Sequence, residues 1–140
     1  MWRVVLDYAA LTSALLNPHG SPARLLDFAR QGRLRLFATS RMVATEGRVL
    51  RTAALKRRHG MSDRELSGLL ADLPVLLCLV DATEPKRTST KPAVEVLACA
   101  TRARADFLVT SLPVNTAAAA LGGTQTLTAD QLVELIGRSI

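Results

Sequence analysis

The chain enters with Arg3-Val4-Val5-Leu6-Asp7 and passes at once into Tyr8-Ala9-Ala10-Leu11-Thr12-Ser13-Ala14-Leu15-Leu16. A short β-branched, apolar run predicts a buried strand, and the segment after it predicts a helix. Asn17-Pro18-His19-Gly20 ends that helix, because proline and glycine both interrupt the intrahelical ladder. Ser21-Pro22 supplies the next cap and first turn, and Leu25, Leu26, Phe28 and Ala29 recur at helical spacing up to Gln31. Leu34, Leu36 and Ala38 then alternate with Arg33, Arg35 and Phe37, which predicts a second strand.

Further along, strand and helix keep alternating. Ser40 opens a helix expected to run to about Arg58, with His59-Gly60 as its exit. Ser62-Asp63-Arg64-Glu65 is a capping box ahead of Leu66, Leu69 and Leu70. Pro74 is expected to stop that helix, and Val75 to Val80 to form a buried parallel strand. Asp81 to Lys91 reads as a polar loop, Pro92 to Arg102 as a helix and Phe107-Leu108-Val109 as a strand. Asn115 to Gly123 suggests a helical turn and a glycine break. Gln125 to Leu127 predicts a last strand, and Thr128-Ala129-Asp130-Gln131 caps a terminal helix. This alternation implies one domain over residues 1–140: an α/β, three-layer α/β/α sandwich with a central, mostly parallel sheet.

Composition narrows the class. At 49% hydrophobic and 21% charged residues the chain can build a core, which excludes general disorder. Cys78 and Cys99 both sit in apolar runs; two buried reduced thiols or a single bridge fit, and a disulfide-rich secreted scaffold does not. No apolar run is long enough for a membrane span, and the first residues reach Asp7 too soon for a signal peptide. The expected location is cytoplasmic. A net charge of +6 favours a polyanionic partner such as nucleic acid, and fifteen of the eighteen cations are arginine, whose planar donor fork suits phosphate. Aromatic residues are only 4% of the chain, so such contact should fall on the phosphate backbone and not on stacked bases.

Two acids stand out. Asp7 ends the first strand, where ligands gather in parallel sheets; it equally suits the cap of the following helix. Glu46 falls in the middle of an apolar face made by Met42, Val43, Val49, Leu50, Ala53 and Ala54. Burying a carboxylate there is costly unless it meets a cation, a metal or several donors. Either Glu46 serves a site or it pairs with Arg57 on the same predicted face. Arg41, Arg48, Arg51, Lys56 and Arg58 line the opposite side, as a solvated face or a binding stripe. His19 and His59 lie at turns without partners at metal-ligand spacing, and Gly122-Gly123 is not a phosphate loop. Ser13 and Thr12 have no histidine base nearby, which argues against nucleophilic catalysis.

Val4-Val5-Leu6-Asp7, Ala10 to Leu16 and Ser21 to Leu26, in this order, resemble the opening of PIN domains, especially the bacterial toxins of toxin–antitoxin pairs. Leu36 to Leu50 with Glu46, Ala105 to Thr110, and Gln125 to Ile140 continue the resemblance over nearly the whole chain. It implies a three-layer ribonuclease in which three or four carboxylates hold Mg²⁺ or Mn²⁺. Carried over by position, Asp7 and Glu46 are the catalytic and metal-binding acids. The acid expected in the helix from Pro92 falls at Ala93, and those after the Leu108-Val109-Thr110 strand fall at Leu112 and Val114. The asparagine expected two residues beyond Asp7 is Ala9. Glu95 is expected on the outer side of its helix, and the acidic loop before it is replaced by Lys86, Arg87 and Lys91.

Two carboxylates carry too little charge for a pair of divalent ions. The expectation is therefore a PIN-like protein with lost or weakened metal-dependent nuclease activity that binds nucleic acid, through Lys86, Arg87 and Lys91, or a protein. One alternative is an active Mg²⁺/Mn²⁺-dependent ribonuclease toxin using Asp81 or Asp106; another is a purely structural homodimer. RNA, a cognate antitoxin and a second copy of the chain are the implied partners.

Overall fold

Val4, Val5 and Leu6 are buried because they lie on the central strand of a sheet with helices packed on its faces. In a computed structural model that describes residues 1–80, 92–110 and 123–138, β1 (Trp2–Leu6) is the central strand. Beside it run β2 (Leu34–Ala38), β3 (Leu77–Leu79), β4 (Phe107–Val109) and β5 (Gln125–Leu127), in the order β3-β2-β1-β4-β5. All four pairings are parallel. The helices are α1 (Tyr8–Leu16), α2 (Ser21–Arg30), α3 (Ser40–Leu50), α4 (Ala53–His59), α5 (Asp63–Leu76), α6 (Pro92–Ala103) and α7 (Ala129–Arg138).

Right-handed crossovers decide the layers. The chain steps one way from β1 through β2 to β3, so α1 to α5 fall on one face. It returns across the sheet to β4, so α6 falls on the other. Arg3 confirms the second assignment, since its Nε donates to the Ala103 carbonyl at the end of α6 over 2.7 Å. The strand order reverses between β1 and β4, and in such sheets that crevice is where ligands bind.

Each layer is held by apolar burial. Val4, Leu25, Leu36, Met42, Leu132 and Ile136 are all almost completely enclosed, each stabilising the fold by about 1.5–3 kcal/mol. Cys99 joins this core on α6, and burial pushes its thiol up to about 12. Cys78 is half-buried on β3, and both cysteines are free. No described helix is long and apolar enough to cross a membrane.

Two local expectations need correction. The helix from Ser40 stops at Leu50, and a second one starts at Ala53. The Thr52 hydroxyl turns back to the Val49 carbonyl over 2.8 Å, while the Thr52 backbone is extended at φ −65° and ψ 150°. Nor does Pro74 end α5, which continues to Leu76. Proline removes only its own N–H, and the Leu77 N–H still closes the last turn on Leu73. Val75, expected in a buried strand, is 88% exposed on that last turn.

Candidate functional site at the carboxyl end of the sheet

Asp7 leaves the sheet at the β1 end of the crevice. Its N–H donates to the Val109 carbonyl at 3.0 Å, so the β1–β4 ladder is held to its last residue. Extended backbone at Asp7 (φ −73°, ψ 174°) then turns the chain into α1, and its Oδ1 accepts the Ala10 N–H at 2.8 Å. The cap reading of Asp7 is therefore real. One carboxylate oxygen is engaged, on an end of the helix whose dipole favours negative charge.

Glu46 projects from the inner face of α3 between Met42 and Leu50, and all three are 0% exposed. Its Oε2 accepts from the Thr12 hydroxyl of α1 at 2.5 Å, and its Oε1 is buried without a hydrogen-bond partner among the described residues. Burial pushes its carboxyl up from the usual glutamate range, and the Thr12 hydrogen bond offsets this in part. The expected pairing with Arg57 is not formed, because the break at Arg51-Thr52 carries Arg57 onto α4, where it is exposed. Arg48, Arg51 and Arg58 are likewise exposed, as either a solvated face or a binding stripe requires. Thr12, which has no base to make it a nucleophile, serves instead as a hydrogen-bond donor. The helical periodicity does show that Glu46 needs a donor, but only the packing of α1 on α3 shows which residue supplies it.

Both acids are thus tied to α1, Asp7 at its cap and Glu46 through Thr12. Beside the cap lies a cavity of about 280 Å³ lined by Ala9, Ala10, Ser13, Thr110 and Thr128, among others. Neither carboxylate lines it. Asp106 belongs elsewhere. It precedes β4 at the amino end of the sheet, and its Oδ2 accepts the Arg3 N–H at 2.8 Å. It is therefore no substitute for a missing acid beside Asp7. Asp81, Lys86, Arg87, Lys91, Leu112, Val114 and the expected turn from Asn115 lie outside the described residues, as do the side chains of His59, Ala93 and Glu95.

These donors do not fit the pair of divalent ions that the resemblance implies. Among the described residues no group of three His, Cys, Asp or Glu side chains comes together. Of the two carboxylates, one already caps a helix and the other is enclosed in apolar surroundings that disfavour its charge. The arrangement is better suited to holding α1 in place than to binding two ions.

Comparison with curated proteins gave no match, and comparison with solved structures gave none. The family comparison did. An all-parallel five-stranded sheet, an acid at the end of its central strand and a second acid on α3 are features expected of one family. The model of that family, the PIN domain, matches residues 3–111, and the chain belongs to it.

Proposed function

We propose that this PIN domain has lost efficient metal-dependent RNA cleavage and works by binding, with RNA or a protein as its partner. PIN domains are a nuclease-like family, typically dependent on Mg²⁺ or Mn²⁺. The observation that carries the proposal is the donor count: no three metal-ligating side chains assemble among the described residues. Two-metal hydrolysis needs a clamp on both the attacking and the leaving oxygen, and charge enough to hold it. Ala93 and Leu112, at positions where the family has acids, extend the deficit along the chain. Lys86, Arg87 and Lys91 replace negative charge with positive, which attracts phosphate and repels a dication.

Incubation of the purified protein with RNA and Mg²⁺ or Mn²⁺ should give no cleavage above background, and Asp7→Asn should change nothing. Ala93→Asp with Leu112→Asp should raise divalent-ion affinity in calorimetry. Cleavage by the unmodified protein that disappears in Asp7→Asn would overturn the proposal in favour of an active ribonuclease toxin. One observation favours that second reading: the Oε1 of Glu46, without a partner among the described residues, is what a carboxylate missing its cation would present.

A further inference from the structure

The opposite end of the sheet gathers four arginines, of which the fold uses only Arg3. Arg3 and Arg35 are register partners on β1 and β2, so their side chains leave the same face about 4.8 Å apart along the sheet. Arg3 is fixed by its Ala103 hydrogen bond and by stacking over Phe37, 4.6 Å from the ring centroid. Arg102 and Arg104 flank that same Ala103, and both are exposed, as is Arg35. No described residue pairs with Arg35, Arg102 or Arg104. The carboxylate of Asp106 is occupied by the Arg3 backbone N–H.

Stability alone does not account for this cluster. Arg102 suits a helix C-terminus, but like charges side by side on neighbouring strands are destabilising. Arg104 sits at φ 51°, in the left-handed region where glycine is favoured. Its N–H donates to the Thr101 carbonyl and the Ala105 N–H to the Ala100 carbonyl, so the turn is a helix terminator that a glycine would close with less strain.

We propose that Arg3, Arg35, Arg102 and Arg104 form a second, sequence-independent binding surface for the RNA phosphate backbone, at the amino end of the sheet and remote from Asp7. Each guanidinium offers a planar fork that matches phosphate oxygens, and Arg3 is already held in place. The +6 charge of the chain draws a dense polyanion toward this surface. Trp2 next to Arg3 is exposed, but as its neighbour on β1 it leaves the other face of the sheet and packs against Phe107, so affinity here comes from charge and falls with salt.

The surface is tested by fluorescence anisotropy with a labelled oligo(U) of about twenty nucleotides, titrated between about 50 and about 200 mM salt. Arg35→Gln, Arg102→Gln and Arg104→Gly combined should weaken binding at least about tenfold and flatten the salt slope by about 2, three contacts at about 0.7 each. Arg48→Gln, Arg57→Gln and Arg58→Gln remove the same charge from α3 and α4 and should change affinity less than about threefold. Arg35→Gln alone, at an exposed site, carries the test should the combined variant misfold, with a loss of about threefold. Equal losses in the two triple variants, an unchanged slope, no binding by the wild type, or competition by polyglutamate as strong as by unlabelled oligo(U) would each overturn the inference. Cleavage is not a readout here, so the inference and the proposed loss of nuclease activity fail separately.

Discussion

At the carboxyl end of the sheet, Glu46 is sealed among apolar side chains with one oxygen on Thr12 and the other without a partner among the described residues. At the amino end, the Asp106 carboxylate bonds the first residues of β1, beside arginines open to water. Both acids sit within the same sheet architecture, yet one strains its surroundings and the other locks two strands together. The difference lies in the donors. Asp106 meets a backbone N–H that would otherwise lack a partner, whereas Glu46 meets a single hydroxyl in a place where its charge is disfavoured. A carboxylate that serves only structure resembles Asp106. On the proposed reading, in which efficient cleavage is lost, Glu46 is a remnant of the acidic site.

The largest effect expected from breaking this contrast is at Thr12. Thr12→Val keeps the shape and removes the donor, leaving a buried carboxylate unsatisfied at a cost of about 2–3 kcal/mol at neutral pH, read from urea unfolding. Its pH dependence has a definite sign. The folded-state pKa of Glu46 is raised above 4.5, so the protonated form is favoured in the native protein. Stability from this group is fully present below 4.5 and is lost as pH rises through the raised value. Thermal melts of Glu46→Gln and wild type should therefore diverge in favour of the glutamine variant as pH rises above that point. Parallel curves would remove the remnant interpretation.

The two structural aspartates give a smaller, sharper comparison. Asp106→Ala breaks a charge-assisted bond between strands and should cost about 2 kcal/mol, while Asp7→Ala removes a helix cap worth about 1 kcal/mol. A larger loss at Asp7 than at Asp106, measured by denaturant midpoints, would reverse the contrast between the ends. The smallest effect is at Arg104. Arg104→Gly should raise stability by about 0.5–1 kcal/mol, seen as a higher Tm, by relieving the left-handed backbone. No gain would mean that the arginine side chain itself contributes to the turn.

Much of the scaffold follows from residue order alone. β2 and β5 hold the expected residues, as do the boundaries of β4 and the start of α7, because period and capping are local properties. The Ser62–Glu65 capping box forms as read, with both reciprocal hydrogen bonds. Burial of Glu46 was equally legible, since an acid on an apolar helix stripe must face the core. Local patterns mislead where two choices lie close in energy. Thr52 breaks a stretch whose apolar stripe continues, and Pro74 sits inside a last turn that one missing N–H does not undo.

What the sequence by itself determined is therefore the alternating α/β architecture, an acid at the end of the first strand and one on the apolar stripe of α3, and the positive charge. Only the tertiary structure decided what these groups face. Thr12 and Glu46 are 34 residues apart, and Arg3 and Asp106 are separated by 103. Such pairs are invisible to periodicity because they arise from the strand order and the handed crossovers, which bring distant segments into contact after local structure is set. The same crossovers put α6 over Arg3 and so collect the arginines at the amino end. Residue types supplied the charge, and the topology gave it a place.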